Sequence, residues 1–89
     1  MKAIITVIGF DKVGIIAGVS GLMARLNANI LDINQTVFGT NFIMAMYVDL
    51  TEMNVSFKEL KEELDKIGES IGVNVRIQRE EIFNAMHRL

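Results

Sequence analysis

The spacing of apolar residues switches repeatedly between a period of two and a period near 3.6, and each switch marks an element boundary. Residues 2–8 are β-branched and apolar on both faces, Ala3, Ile5 and Val7 against Ile4, Thr6 and Ile8. That pattern predicts a central strand covered on both sides. Ile15, Ile16, Val19, Leu22, Met23 and Leu26 then fall on one helical stripe, and the helix is expected to stop near Asn27, Ala28 and Asn29. Asp11 is placed to cap its start. Ala17, Gly21, Ala24 and Ala28 form a second row of small residues, open to close approach by another element. Gly18 and Gly21 each cost a helix about 1 kcal/mol against alanine, so a packing reason is expected for both.

Residues 30–38 and 42–50 read as two strands joined through Gly39, Thr40 and Asn41. In the first, Leu31, Ile33 and Val37 face one way and Asp32, Asn34 and Thr36 the other, the weak alternation of an edge strand. The second sets Phe42, Met44, Met46 and Val48 against Ile43, Ala45 and Tyr47, so both of its faces are largely apolar. Ser56 and Glu59 form a capping box that opens a second helix. Its buried stripe is Phe57, Leu60, Leu64, Ile67 and Ile71, and Gly72 is its stop. Residues 73–78 alternate strictly as a fourth strand. Ile82, Phe83, Met86 and Leu89 mark a short amphipathic C-terminal helix.

The order β-α-β-β-α-β with a helical tail predicts an α+β, ferredoxin-like sandwich: a four-stranded antiparallel sheet with two helices on one face. Residues 1–79 form the domain and residues 80–89 the tail. Right-handed crossovers place the last strand beside the first, at the sheet edge opposite the second. The other sheet face then has no full helix of its own, although on the first and third strands it is apolar. A partner subunit is expected there, giving a homo-oligomer, in the first instance a dimer.

Composition narrows the partners. The chain has 89 residues, 51% of them hydrophobic, and its mean hydropathy of +0.34 is high for a small domain. A domain of this size buries roughly 60–65% of its unfolded surface, so some apolar surface is expected to meet another subunit. A net charge of −2 gives no electrostatic reason to expect nucleic acid or an anionic membrane. Cysteine is absent, which removes disulfides and thiolate metal sites together. The apolar run after Lys2 is broken at Gly9, too early for a signal-peptide core, and no stretch approaches the ~20 residues of a spanning helix. A cytoplasmic protein is expected.

Catalysis finds no support. The loop after the first strand carries Asp11 where a phosphate-binding enzyme of this fold would need arginine, and it lacks the cysteine pair of a metal chaperone. An RNA-recognition module would want aromatic residues on its central strands in a basic field, and here Tyr47 stands alone on its strand face. His87, the single histidine, lies on the tail away from any paired carboxylate and reads as a solvated side chain. Glu59, Glu62, Glu63 and Lys66 form a charged helical face, and Glu80 and Glu81 favour the start of the tail helix through its dipole. No catalytic residue, metal or cofactor is expected.

The segment from Gly9 to Ser20 is the informative one. A strand–turn–helix corner presents backbone N–H groups beside a carboxylate, and such a corner suits a zwitterion. Gly14 serves either close packing at the helix start or the approach of a ligand. In the second reading the N–H groups of Gly14, Ile15 and Ile16 meet a carboxylate and Asp11 takes an ammonium. Asn29, at the head of the second strand, is then read as returning to the same neighbourhood with an amide.

This segment, continued by Asn29-Ile30-Leu31-Asp32 and Gln35, resembles an ACT domain, in particular those of the glycine-cleavage-system repressor and of formyltetrahydrofolate deformylases. The tail from Ile82 to Leu89 is similar to the free-standing ACT proteins of the UPF0237 family. The resemblance implies a regulatory domain, residues 1–79, that binds an amino acid or similar small ligand at an interface between two copies. It places Asp11 and Gly14 on the ligand loop and Asn29 on the second-strand contact. Two positions depart from the pattern: Val13 replaces a common proline, and Gly9 stands where serine-sensing members carry histidine. The alternative is a ligand-free oligomerisation or protein-interaction module.

Overall fold

The protein is described by a computed structural model covering residues 1–10 and 12–86, with Lys12 as backbone only. The expected cap at Asp11 and the tail residues His87 and Leu89 lie outside the described residues. The elements are β1 (Lys2–Gly9), α1 (Lys12–Arg25), β2 (Asn29–Phe38), β3 (Asn41–Asp49), α2 (Phe57–Ile71), β4 (Asn74–Arg79) and α3 (Glu80–Met86). They build a four-stranded antiparallel sheet in the order β2-β3-β1-β4. This is the expected ferredoxin-like sandwich with a C-terminal helix.

One sheet face carries the core. Ala3, Ile5 and Val7 of β1 and Phe42, Met44, Met46 and Val48 of β3 are buried against Ile15, Val19, Leu22 and Met23 of α1 and Leu60 and Leu64 of α2. The alternation in β1 and β3 thus points to the faces expected of it. The N-cap half of the capping box forms: the Glu59 amide donates to Ser56 Oγ at 3.1 Å, while the Glu59 carboxylate takes the Ser56 hydroxyl at 3.2 Å instead of the Ser56 amide. Gly72 closes α2 in the left-handed region (φ 80°), and the amides of Gly72 and Val73 both donate to the Gly68 carbonyl. The β2–β3 hairpin is tighter than a three-residue connection. Phe38 pairs with Asn41, so the turn is Gly39-Thr40 with Gly39 at φ 65°.

Three expectations are corrected. Leu31 does not share the core-facing side of β2 with Ile33. A register shift between Ile30 and Asp32 inserts Leu31 as an extra residue, so Ile30 and Ile33 pack toward the core while Leu31 is exposed. Of the small-residue row, Ala28 is buried in the core, but among the described residues no element packs on Ala17, Gly21 and Ala24. Ala17 and Ala24 are exposed, and a Cβ at Gly21 would meet nothing within 4 Å. Close approach occurs at Gly18 instead, where a Cβ would stand 2.7 Å from Ile71 Cδ1 of α2. Last, β1 is central but not fully covered. On its outer face Ile4 and Thr6 are half-buried, and Ile8 is 44% exposed.

Position 9 is the tightest in the fold. A Cβ on Gly9 would collide with Val73 Cγ1 and stand 3.0 Å from both Val73 Cβ and Ile15 Cδ1. Valine is stiff at χ1, so it yields little. Gly9→Ala is therefore expected to destabilise the fold by about 1–3 kcal/mol, and Ser56→Ala by about 1 kcal/mol through loss of the cap. Urea unfolding followed by circular dichroism measures both, and an unchanged midpoint for Gly9→Ala would contradict the packing described.

Candidate functional site

The corner between β1 and α1 is short: β1 ends at Gly9 and α1 begins at Lys12. Gly9 is held against Val73, the residue that leads into β4, so the corner is anchored across the sheet. The same contact leaves no space for any side chain at position 9, histidine included. Ile15 is fully buried, so its side chain is closed to a ligand, whereas Gly14 and Ile16 are half-buried. Gly14 to Ile16 lie at the start of α1, at the positive end of its dipole, where a carboxylate is favoured. The corner is flanked by apolar surface: Phe10 is 73% and Val13 78% exposed.

Asn29 is positioned by the other end of α1. Asn27 takes the left-handed conformation (φ 59°), the Ala28 amide donates to the Met23 carbonyl at 2.9 Å, and the Asn27 amide donates to that of Ala24. This is a Schellman cap with asparagine in the place of glycine. Asn27 Nδ2 donates to the Glu52 carbonyl and Asn54 Nδ2 to the Arg25 carbonyl, tying the helix end to the loop before α2. Asn29 is exposed and lines a shallow depression of about 310 Å³ with Met23, Ala24, Asn27, Ala28 and Glu52.

Within one chain the two parts of the expected site do not meet. Asn29 aligns with Asp49 of β3, while Gly9 at the corner aligns with Phe42, seven residues away on the same strand. At 3.3 Å per residue they stand about 23 Å apart, at opposite ends of the sheet. Because α1 runs back along the sheet, its start and the residue that follows its end are separated by its full length. Sequence proximity to the helix gave no sign of this.

The outer sheet face carries a feature that pattern reading missed. Tyr47 of β3 donates its hydroxyl to Glu80 Oε1 at 2.8 Å, and Gln78 Nε2 donates to Met86 Sδ at 3.3 Å, so α3 is tied down across the open face. Neither partner spacing follows a helical or strand period, which is why no local signal marks the pair. Among the described residues no cluster could hold a metal ion, and no helix is long and apolar enough to cross a membrane.

The family profile described as ACT domain matches residues 2–78. A UPF0237 protein of Clostridium acetobutylicum is 56% identical over 89 residues, the whole of both chains. An ACT domain protein from Streptococcus pneumoniae superposes with a TM-score of 0.82 at 46% identity, covering 98% of each chain. The regulatory subunit of aspartate kinase from Thermus thermophilus, in a ligand-free form, has a TM-score of 0.64 at 28% identity, over 86% of this chain and 50% of that one. The chain belongs to the ACT-domain family and, within it, to the UPF0237 proteins.

The Tyr47–Glu80 contact has a direct spectroscopic readout, because Tyr47 is the single tyrosine and tryptophan is absent. The hydrogen bond to Glu80, first, then partial burial and the negative charges of Glu80 and Asp49 raise its pKa above the ordinary 10.0. A raised folded-state value means that the contact favours folding below the unfolded pKa and is lost as pH climbs through the folded one. Ultraviolet titration of the phenolate band is expected to show a late midpoint, and Glu80→Gln should move it down toward 10.0. Equal midpoints in the two proteins would contradict the contact.

Proposed function

We propose that this chain is a regulatory, non-catalytic module of the cytosol that binds an amino acid or a close analogue between two copies of itself. The observation that carries this reading is the separation of the two groups, the start of α1 and Asn29, to opposite ends of a sheet whose β2 edge is unpaired in the single chain. β2 is an edge strand whose Val37 and Phe38 are 66% and 74% exposed. An antiparallel two-fold pairing of two β2 edges about the bond between Ile33 and Asn34 sets Asn29 of the second copy level with Phe38. Phe38 lies at the same end of the sheet as the β1–α1 corner. Two separated half-sites become two composite ones, each with the start of α1 from one copy and Asn29 from the other.

In such a site the ligand carboxylate lies against the N–H groups of Gly14, Ile15 and Ile16. Asp11 supplies the charge for the ammonium, and Asn29 offers a donor and an acceptor to the remainder. The row of exposed Ala17 and Ala24 and half-buried Gly21 on α1 lies open to the second copy. The aspartate kinase regulatory subunit, with its ligand-free form, supports a regulatory ligand-binding role for the shared domain.

A thermal-shift screen of the natural amino acids and folate-pathway metabolites tests the reading. A saturating ligand stabilises by about 2.7 kcal/mol at a hundredfold excess over Kd. Asp11→Asn retains capping ability and removes the charge, so ligand-free stability should hold while affinity falls by about 1.5–3 kcal/mol. Asn29→Ala should weaken binding in the same direction. Sedimentation equilibrium is expected to return a dimer of the 10.0 kDa chain. A dimer that binds nothing in the screen would favour a pure oligomerisation module instead.

A further inference from the structure

We propose that the groove between α3 and the outer face of the sheet binds a small amine, a primary ammonium carried on a short apolar or aromatic body. The groove, about 280 Å³, is lined by Ile4, Ala45, Tyr47, Phe83, Asp32 and Asn34, with an edge of Met46. Cross-strand register explains its shape. Asp32 aligns with Tyr47 and Tyr47 with Ile4, giving one row across β2, β3 and β1, and Asn34 aligns with Ala45 in the next. Phe83 closes the groove from above, one turn into α3, and the bond from Tyr47 to Glu80 fixes the start of that helix.

The lining selects for a cation. Apolar and aromatic groups form the floor and roof, and the charged group at the rim is Asp32. Its Oδ1 accepts from the Ile33 amide at 2.9 Å, which holds the carboxylate in place. Glu80 adds a second carboxylate beside the Tyr47 hydroxyl. Among the described residues no lysine or arginine lines the groove. On this sheet face Lys2 lies toward Asp49, and Arg76 lies on β4, opposite Thr6. Two aromatic rings with the Asp32 carboxylate at the rim attract an ammonium by cation–π and ionic contact together, and repel an anion of the same shape. The amino-acid site proposed above lies elsewhere, at the start of α1, so the two readings stand or fall separately.

Phenethylamine is the probe, with phenylacetate as the same body bearing the opposite charge. Titration of the isotopically labelled full chain, followed by amide NMR, is expected to show saturable shifts at Ile4, Ala45, Tyr47 and Phe83 with phenethylamine and none with phenylacetate. Asp32 is exposed, so Asp32→Asn should fold normally and weaken the amine roughly fivefold, the upper range for an exposed ionic contact. Phe83→Ala should weaken it independently. Absence of saturable shifts, equal binding of phenylacetate, shifts confined to Gly14 to Ile16, or an unchanged affinity in a folded Asp32→Asn protein would each overturn the proposal. Shifts at the groove that follow protein concentration without probe would also overturn it, because a second copy would then be the occupant.

Discussion

Two long helices must serve a sheet with two faces, and both lie on the same one. The burial of Ala3, Ile5, Val7, Met44, Met46 and Val48 under α1 and α2 is the interaction on which the rest depends. At about 25 cal/mol per Å² of apolar area it supplies most of the stability that so small a domain can gather. Its consequence is an outer face on which, among the described residues, the short α3 lies, tied there by contacts that include a tyrosine–carboxylate bond and a weak contact to sulfur. Ile8 on that face, and Val37 and Phe38 at the hairpin end of the β2 edge, are left to solvent in the single chain. The fold thus presents one satisfied interior and two surfaces with unspent binding capacity.

The core was legible in the sequence because it rests on periodicity. The alternation of β1 and β3, the α2 stripe with its Ser56–Glu59 box, and the stop at Gly72 are local patterns, and each lies where its pattern places it. The features that escaped are those that periodicity does not encode. A bulge at Leu31 shifts the phase of β2 by one residue, and nothing in the composition of that strand announces it. Gly9 is required by Val73, a residue far along the chain, and not by any turn of its own. Tyr47 meets Glu80 only because the chain leaves β4 directly into a helix on the open face.

The geometry of the candidate site was not legible in the sequence. Gly14 to Ile16 and Asn29 are the groups proposed for a zwitterion, and the length of α1 sets them at opposite ends of the sheet. Strand register decides the matter: Asn29 sits level with Asp49 and the corner level with Phe42. In the proposed dimer a ligand would touch the two copies at once, and its binding would be coupled to association. Such coupling would give the proposed module a physical basis for regulation, with ligand concentration shifting the balance between separate and paired subunits through differential affinity.

Subunit complementation tests the composite site most directly. Asp11→Asn protein and Asn29→Ala protein are each expected to lose ligand affinity alone. In a mixed dimer one site gathers both substitutions, while the other gathers an unaltered corner from one copy and an unaltered Asn29 from its partner. Differently tagged variants, co-expressed and purified as mixed dimers, are therefore expected to regain wild-type affinity at half of their sites by calorimetry. Mixed dimers that bind no better than either parent would place both groups in a site within one chain, or in no site at all, and would contradict the account.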